Sequence, residues 1–314
     1  MHLTPHETWN LLDSSKLQTY MRCPRRYFYR YILGWRPEGD SFHLLFGRAW
    51  HKAMEYLMSL GKPMRQVSGA DLHGAFDAFY SVYGQLQTGS TEEHGGKTVE
   101  AAMQALADYI HRHKDDNFQV LMVEASGEVP ITMDTWMTFR LDTVVRDDRG
   151  IFVLEHKTTS RNTRQWRDQW LLSVQVGLYT HVLYSLYEPD DVYGVVINGA
   201  VFRKTGIDFV RVPVRQTPST MNVWWTTVRG WVAQLRLDME ALDNAKPEDD
   251  VLLPFRMNTT ACTDFGGCPY ADLCAAWPNP LRVSDEPPIG FIVDWWDPRA
   301  VEEESKEKLG RIER

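Results

Sequence analysis

One hairpin restricts this chain more than any other part of its sequence. Phe139 to Val145 and Ile151 to Lys157 are β-prone runs, and the turn signal Asp147-Asp148-Arg149-Gly150 lies between them. With an even-length loop centred between Asp148 and Arg149, Asp142 falls opposite Glu155, and opposed residues of an antiparallel pair project from one face. Alternation adds Lys157 to that face and turns Phe152 and Leu154 the other way, into the core. Two carboxylates and an ammonium therefore converge on one side of the strand. Buried carboxylates this close raise each other's pKa, and isolated buried charge is unfavourable. A divalent cation resolves the conflict. Hard oxygen ligands with places left for water and phosphate suit Mg²⁺ or Mn²⁺, which lowers the pKa of a bound water and polarises the phosphate. Lys157 is placed to position or deprotonate that water, or to neutralise developing charge. An isolated E-x-K is more often an ordinary cross-face ion pair, so the rest of the chain has to decide.

The 314 residues suffice for a large core and give a soft prior of about two domains. An apolar content of 43%, with 21 Gly and 16 Pro, excludes collagen-like, low-complexity and wholly disordered chains. The net charge of -8 argues against a uniformly basic nucleic-acid-coating protein but says nothing of local patches. Residues 1–12 lack the continuous apolar core of a secretory signal. The longest uncharged run, Gln169 to Tyr187, carries Gln, Ser, Thr and His among its apolar residues and reads as a buried helix. The expectation is a cytoplasmic protein with no membrane contact. Helices are expected over Ser14–Tyr31, Phe46–Leu60, most of Ala70–Lys114 outside the polar stretch Thr88–Lys97, Gln165–Tyr187 and Ser219–Leu242. Strands are expected at Val120–Glu124, Glu128–Met133, Trp136–Val145, Ile151–Thr158, Val192–Phe202 and Ile207–Pro213. The mixture defines an α/β (α+β) fold. Gly95-Gly96-Lys97-Thr98 imitates the end of a phosphate-binding loop, but its first glycine would have to replace Thr91, which removes an ATPase from consideration.

Asp142, followed after the hairpin by Glu155-His156-Lys157, resembles the D…(D/E)xK core of the PD-(D/E)xK nuclease superfamily. Two further pieces resemble its RecB-like branch. Phe46-Gly47-Arg48-Ala49-Trp50-His51 matches the G-x-x-x-H element, and Gln175-Val176-Gly177-Leu178-Tyr179 matches the Q-x-x-x-Y element on the helix after the ExK strand. The resemblance implies a restriction-endonuclease-like core, a mixed central sheet flanked by helices. It further implies Mn²⁺ or Mg²⁺ held by His51, Asp142, Glu155 and the backbone carbonyl of His156, with Lys157 assisting the attacking water. Gln175 and Tyr179, neighbours on one helix face, would position the DNA strand. Glu124 reads as a surface strand residue more readily than as an auxiliary acid.

Four cysteines remain. Cys262, Cys268 and Cys274 are spaced C-x5-C-x5-C, without the C-x2-C pairs of most zinc ribbons, and Cys23 is far away. Spacing alone does not choose between zinc and an iron-sulfur cluster. The pattern S-x-L-x-x-Y-x-x-C-P-x-x-Y-x-Y over Ser15 to Tyr29, together with the C-terminal triplet, resembles the iron-sulfur nucleases of the AddB type and the CRISPR-associated RecB-like exonucleases. That resemblance implies a [4Fe-4S] cluster joining the N- and C-terminal segments. It also implies a single nuclease domain over 1–284, with a helical insertion at about 61–118 and an extension over 285–314, whose charged end is read as a solvated tail.

DNA is the expected partner. Between Ser14 and Pro37 lie Lys16, Arg22, Arg25, Arg26, Arg30 and Arg36, six aromatics and no acid, although several of those rings must belong to the core. A second rim, Arg161, Arg164, Trp166, Arg167 and Trp170, follows the ExK strand. The reading is a metal-dependent exonuclease on single-stranded or frayed ends, in recombination, repair, phage DNA metabolism or CRISPR adaptation, with a helicase or integrase in trans. A nuclease-fold adaptor subunit is the alternative, and the intact Asp142, Glu155 and Lys157 disfavour it.

Overall fold

The computed structural model describes residues 3–39, 41–84, 95–300 and 305–313. After the short β1 (Leu12–Asp13), α1 (Ser14–Arg22) starts where Asp13 accepts the Lys16 N–H at 2.7 Å. It stops at Cys23, whose backbone is extended, because Pro24 follows and disfavours helix at the residue before it. The chain resumes as α2 (Pro24–Tyr27), a π-helical turn over Phe28–Ile32 and β2 (Trp35–Pro37). The expected single helix over Ser14–Tyr31 is therefore broken at the cysteine. Next come α3 (Phe42–Ser59), α4 (Gly69–Tyr83), opened by a capping box between Ser68 and Asp71, and α5 (Val99–Arg112). Of the polar stretch Thr88–Lys97, residues 88–94 lie outside the described residues.

The expected strands at Val120–Glu124 and Glu128–Met133 are one element, β3 (Gln119–Pro130), followed by β4 (Trp136–Asp147) and β5 (Gly150–Thr159). The helix expected over Gln165–Tyr187 is two, α6 (Arg164–Asp168) and α7 (Val174–Leu186), because the Ser173 hydroxyl accepts the Val176 N–H and starts a new helix. Then follow β6 (Val192–Arg203), β7 (Gly206–Val214), α8 (Pro218–Leu242), α9 (Ala271–Ala276), β8 (Phe291–Val293) and β9 (Glu307–Arg311). β9 corrects the expectation of a solvated tail: part of the charged end is a strand, although residues 301–304 lie outside the described residues.

Contacts along the chain gather into two compact units. One comprises Met1–Gly39, Glu128–Phe139 and Ser219–Glu304; the other comprises Asp40–Gly127, Arg140–Pro218 and Ser305–Arg314. In the second unit the strands are ordered β7-β6-β5-β4-β3-β9. β4 and β5 are antiparallel, β5 and β6 parallel, and β6 and β7 antiparallel. The parallel pair requires a crossover, which α6 and α7 supply. Phe152, Leu154, Val196 and Phe202 bury in one cluster with Phe46, Trp50 and Met54 of α3, Phe79 of α4 and Leu106 and Tyr109 of α5. The segment expected as an insertion is thus part of this unit's core. Strand alternation turns Glu155 and Lys157 away from that cluster, toward α7, which contacts β5 and β6 and is apolar around its circumference.

In the first unit, β1 pairs in parallel with β4 at Leu12 and Met137, and β2 pairs antiparallel with β8. Its core is aromatic. Tyr27 stacks on Phe255 at 6.0 Å, and Tyr29 stacks on Trp35 and Tyr270 at 5.8 and 5.3 Å. Tyr20, Tyr27, Phe28, Tyr29, Tyr31 and Trp35 are all buried, so the rings between Ser14 and Pro37 build this core and leave none to stack on bases. Lys16 is fully buried, its ammonium donating to the carbonyls of Thr8 and Leu11. Arg25 is a correction among the expected DNA contacts. It is 3% exposed, and its guanidinium donates to the carbonyls of Phe255 and Leu252, each at 3.0 Å. It fastens the 252–256 segment and is not presented to a phosphate. Replacing Arg25 with Met removes two charge-assisted bonds, so we expect urea denaturation to show a loss of about 2–4 kcal/mol.

Candidate metal centre

The hairpin keeps the register predicted by its turn: Asp147 faces Gly150, Arg146 faces Ile151, Val145 faces Phe152 and Val144 faces Val153. Two residues further along β4, the Asp142 carboxylate accepts the backbone N–H of His156 at 2.7 Å. That bond seats the first acid against the ExK segment. His51 reaches the same carboxylate from α3, with Nδ1 3.3 Å from Oδ2. It can do so because the α3 residues Trp50 and Met54, on either side of it in sequence, are buried in the core.

The third member is Glu124. Its backbone has φ of +50°, a left-handed conformation inside a strand that costs a non-glycine residue about 1–3 kcal/mol. Ligand atoms of His51, Glu124 and Asp142 all lie within 4.8 Å of one another. Glu124 is 6% exposed and pairs with Arg140, Nε to Oε2 at 3.2 Å. Its reading as a surface residue is therefore overturned. Sequence held one signal for it, an acid within a β-prone run before the hairpin, but the positive φ that turns it inward leaves no mark in residue type.

Glu155 is 2% exposed. One of its oxygens bonds the Lys157 ammonium, and the other, Oε2, is buried without a hydrogen-bond partner among the described residues. Gln175 donates to the Tyr179 hydroxyl at 2.9 Å, so these two first satisfy each other beside the acids. On the reverse face of β5, the Asn198 amide nitrogen lies 3.0 Å from His156 Nδ1 and 2.9 Å from the Tyr109 hydroxyl. Arg211 donates to the Asn198 oxygen at 3.2 Å and is gripped by Asp116 through two bonds of 2.9 and 2.6 Å. This chain ends on the residue whose N–H holds Asp142; sequence reading misses it because Asn198 and Arg211 face each other across β6 and β7 while Asp116 comes from the segment between α5 and β3, far away in sequence.

The charges are unequal. Burial pushes Asp142 up, but the charge of His51 and its hydrogen bond outweigh this and hold Asp142 well below the ordinary carboxylate range. Burial alone would lower His51, and Asp142 raises it above its usual value. Glu124 is pushed up to about 8 and Glu155 to about 7, in both cases by burial and then by the charge of Asp142. Burial opposes the charge on Lys157, but Glu155 and Asp142 keep it above the ordinary lysine value. Burial drives His156 down to about 3, so its ring is neutral. Three buried acids, one imidazole and an orphaned carboxylate oxygen form a donor set suited to a hard divalent ion such as Mg²⁺ or Mn²⁺.

The other residues expected to contact DNA differ in exposure and partners. Arg22 pairs with Asp264 at 2.7 Å, and Arg30 donates to the Asp294 carbonyl and lies over the Tyr31 ring. Arg26 is half-buried. Arg161, Arg164 and Arg167 are exposed; Arg164 pairs with Asp168 and Arg167 donates to Asn162. Trp166 is half-buried against Gly199, where a Cβ would fall 2.6 Å from its ring. None of the four cysteines is in a disulfide. Asn258 donates its N–H to Cys23 Sγ at 3.4 Å, and Cys268 donates its N–H to the Cys262 carbonyl at 2.8 Å. Burial above all, opposed by Arg25 and helped by Cys23, Cys268 and Cys262, raises the Cys274 thiol to about 11, so the four lie within electrostatic reach.

A family model for the PD-(D/E)XK nuclease superfamily matches residues 14–275. No curated protein matches the sequence. Among solved structures, the crystal structure of SSO0001 aligns over 76% of this chain and 83% of that one at 14% identity, with a TM-score of 0.30. No helix among the described residues is long and apolar enough to cross a membrane.

Because Glu124 and Glu155 hold protons near neutrality, binding an ion displaces them. Mn²⁺ affinity, measured by electron paramagnetic resonance of the free ion, should rise with pH through about 7 and about 8, by up to about tenfold per unit for each proton displaced. Glu124→Gln should flatten the upper part of that rise and weaken Mn²⁺ binding at least about tenfold. An unchanged pH profile would remove Glu124 from the centre.

Proposed function

Because the chain belongs to the PD-(D/E)XK nuclease superfamily, we propose that it hydrolyses DNA phosphodiester bonds with a divalent ion seated between α3, β3 and β4. The observation that supports this most is the meeting of His51, Glu124 and Asp142 within 4.8 Å, beside Glu155 and Lys157. A divalent ion, if held by His51, Glu124 and Asp142, would supply Lewis-acid polarisation of the phosphate and a water of lowered pKa. The residues do the rest. Asp142, held by the His156 N–H and His51, stays ionised and fixes the seat. Glu155 keeps the Lys157 ammonium beside the acids, where it orients the attacking water and offsets charge that develops on the phosphate. Tyr179 and Gln175, bonded to each other on α7, are the groups that would meet the phosphates of the bound strand.

The finer reading is an exonuclease on single-stranded or frayed ends. Such ends are made by a helicase or integrase acting in trans, in recombination, repair, phage DNA metabolism or CRISPR adaptation. Cys23, Cys262, Cys268 and Cys274 would hold a [4Fe-4S] cluster with a structural role. Their gathering in one unit, with Cys23, Cys262 and Cys268 all within electrostatic reach of Cys274, supports this, since thiolates brought together are good ligands to a soft metal centre.

An end-labelled degradation assay on single-stranded, blunt and flap DNA tests the activity. Cleavage should require added Mg²⁺ or Mn²⁺, and Asp142→Asn or Lys157→Ala should each lower the rate by at least about a hundredfold. Either variant cutting like the wild type removes the assignment. For the thiols, anaerobically purified protein should show visible iron-sulfur absorption that Cys268→Ser abolishes. A colourless preparation carrying stoichiometric zinc would count against the cluster.

A further inference from the structure

The turn joining α6 to α7 carries an apolar pair that the centre does not use. Leu171 and Leu172 are 53% and 88% exposed. The backbone beneath them is nonetheless fixed. Gln169 N–H donates to the Gln165 carbonyl, Leu171 N–H to Asp168 at 3.2 Å and Ser173 N–H to Trp170 at 3.3 Å. The leucines are thus held outward by a hydrogen-bonded turn. Trp170, immediately before them, lays its ring over Lys157, with Nζ 5.9 Å from the ring centroid. It meets Trp166 edge-on at 5.8 Å, and its indole Nε1 has no hydrogen-bond partner among the described residues. The apolar edge therefore begins at the site lysine and ends three residues before Gln175. Its charged surroundings are basic: between Ser160 and Gln175 stand Arg161, Arg164 and Arg167 against Asp168 alone. Single exposed leucines need no explanation, but an adjacent pair continuous with a tryptophan on the lysine, inside an arginine rim, has a chemical fit.

We propose that this turn opens the ends of duplex DNA. Leu172, backed by Leu171, enters the stack at the end as an apolar wedge, and the first unpaired base of the entering strand lies against Trp170. Arg161, Arg164 and Arg167 meet the phosphates, the exposed pair between Arg164 and Asp168 being easily given up. The arginines and the continuity with Lys157 select a DNA end over an apolar protein surface as the occupant. The proposal rests on the nuclease reading, and two measurements keep the failures of the two apart.

In the first, wild type and the double variant Leu171→Ser, Leu172→Ser are compared with Mn²⁺ on blunt duplex and on single strand. The ratio of blunt to single-strand rates should fall roughly tenfold in the variant, as expected when help in unstacking a base step is lost. The second needs no cleavage. With Ca²⁺ in place of Mn²⁺, 2-aminopurine is placed in the terminal pair of a blunt duplex, on each strand in turn, and binding is followed separately by anisotropy. Saturating wild type should brighten at least one of the two probes, and the double variant should leave both dark. Wild type that degrades no DNA in any metal but brightens the probe defeats the nuclease reading and keeps the wedge. Bound duplex that stays dark with wild type, failure to bind duplex ends, or a variant that keeps the wild-type rate ratio overturns the wedge and leaves the leucines to a protein partner.

Discussion

Three carboxylates, Glu124, Asp142 and Glu155, are buried near one imidazole and one ammonium, and the surrounding structure exists to hold that crowd together. Like charges this close in a low-dielectric interior separate unless something fixes each one. Every member has its own fixture: the His156 N–H and His51 for Asp142, Arg140 for Glu124, and Lys157 for Glu155. The outcome is a division of labour by protonation. Asp142 stays ionised at ordinary pH, whereas Glu155 and Glu124, pushed up to about 7 and about 8, take up protons as the pH falls through those values. Near neutrality this arrangement reduces the negative charge placed in the interior.

The fixtures come from both faces of the sheet. On one side, the chain from Asp116 through Arg211 and Asn198 reaches the His156 ring, and a neutral imidazole there accepts the amide without adding charge. On the other, Tyr179 and Gln175 close over the acids from α7. Strand alternation lets one three-residue segment, Glu155 to Lys157, serve both sides: its outer members face the acids and its middle member is locked into the core. A shift of register by one residue would exchange these roles and leave no site at all.

The legible parts of the chain are those where local pattern and tertiary structure agree. The turn Asp147 to Gly150 fixes the hairpin register, and alternation fixes which side chains share a face, so the meeting of Asp142 with the ExK segment follows from sequence. Breaks inside continuous apolar runs are harder to see. Pro24 interrupts the first helix and Ser173 starts α7 inside a stretch whose hydrophobicity shows no boundary. Glu124 is hidden because its role depends on a left-handed backbone that its side chain does not favour. Arg25 misleads because a guanidinium on buried carbonyls and one on a phosphate look the same in sequence. The charged C-terminal segment misleads for a related reason, since its strand is specified by a partner far away in the chain.

That last strand has a wider consequence. β9 lies along β3, and the Glu307 carboxylate accepts the Val123 N–H at 3.0 Å, one residue from Glu124. Lys306 reaches α3, pairing with Glu55 at 3.1 Å and with the Ser59 hydroxyl at 2.6 Å, one helical turn beyond His51 and further. The two elements that deliver His51 and Glu124 are therefore clasped from outside by residues near the C-terminal end of the sequence. Substitutions at Lys306 or Glu307 therefore bear on the spacing between two side chains of the candidate metal centre, although both positions lie far from those side chains in sequence.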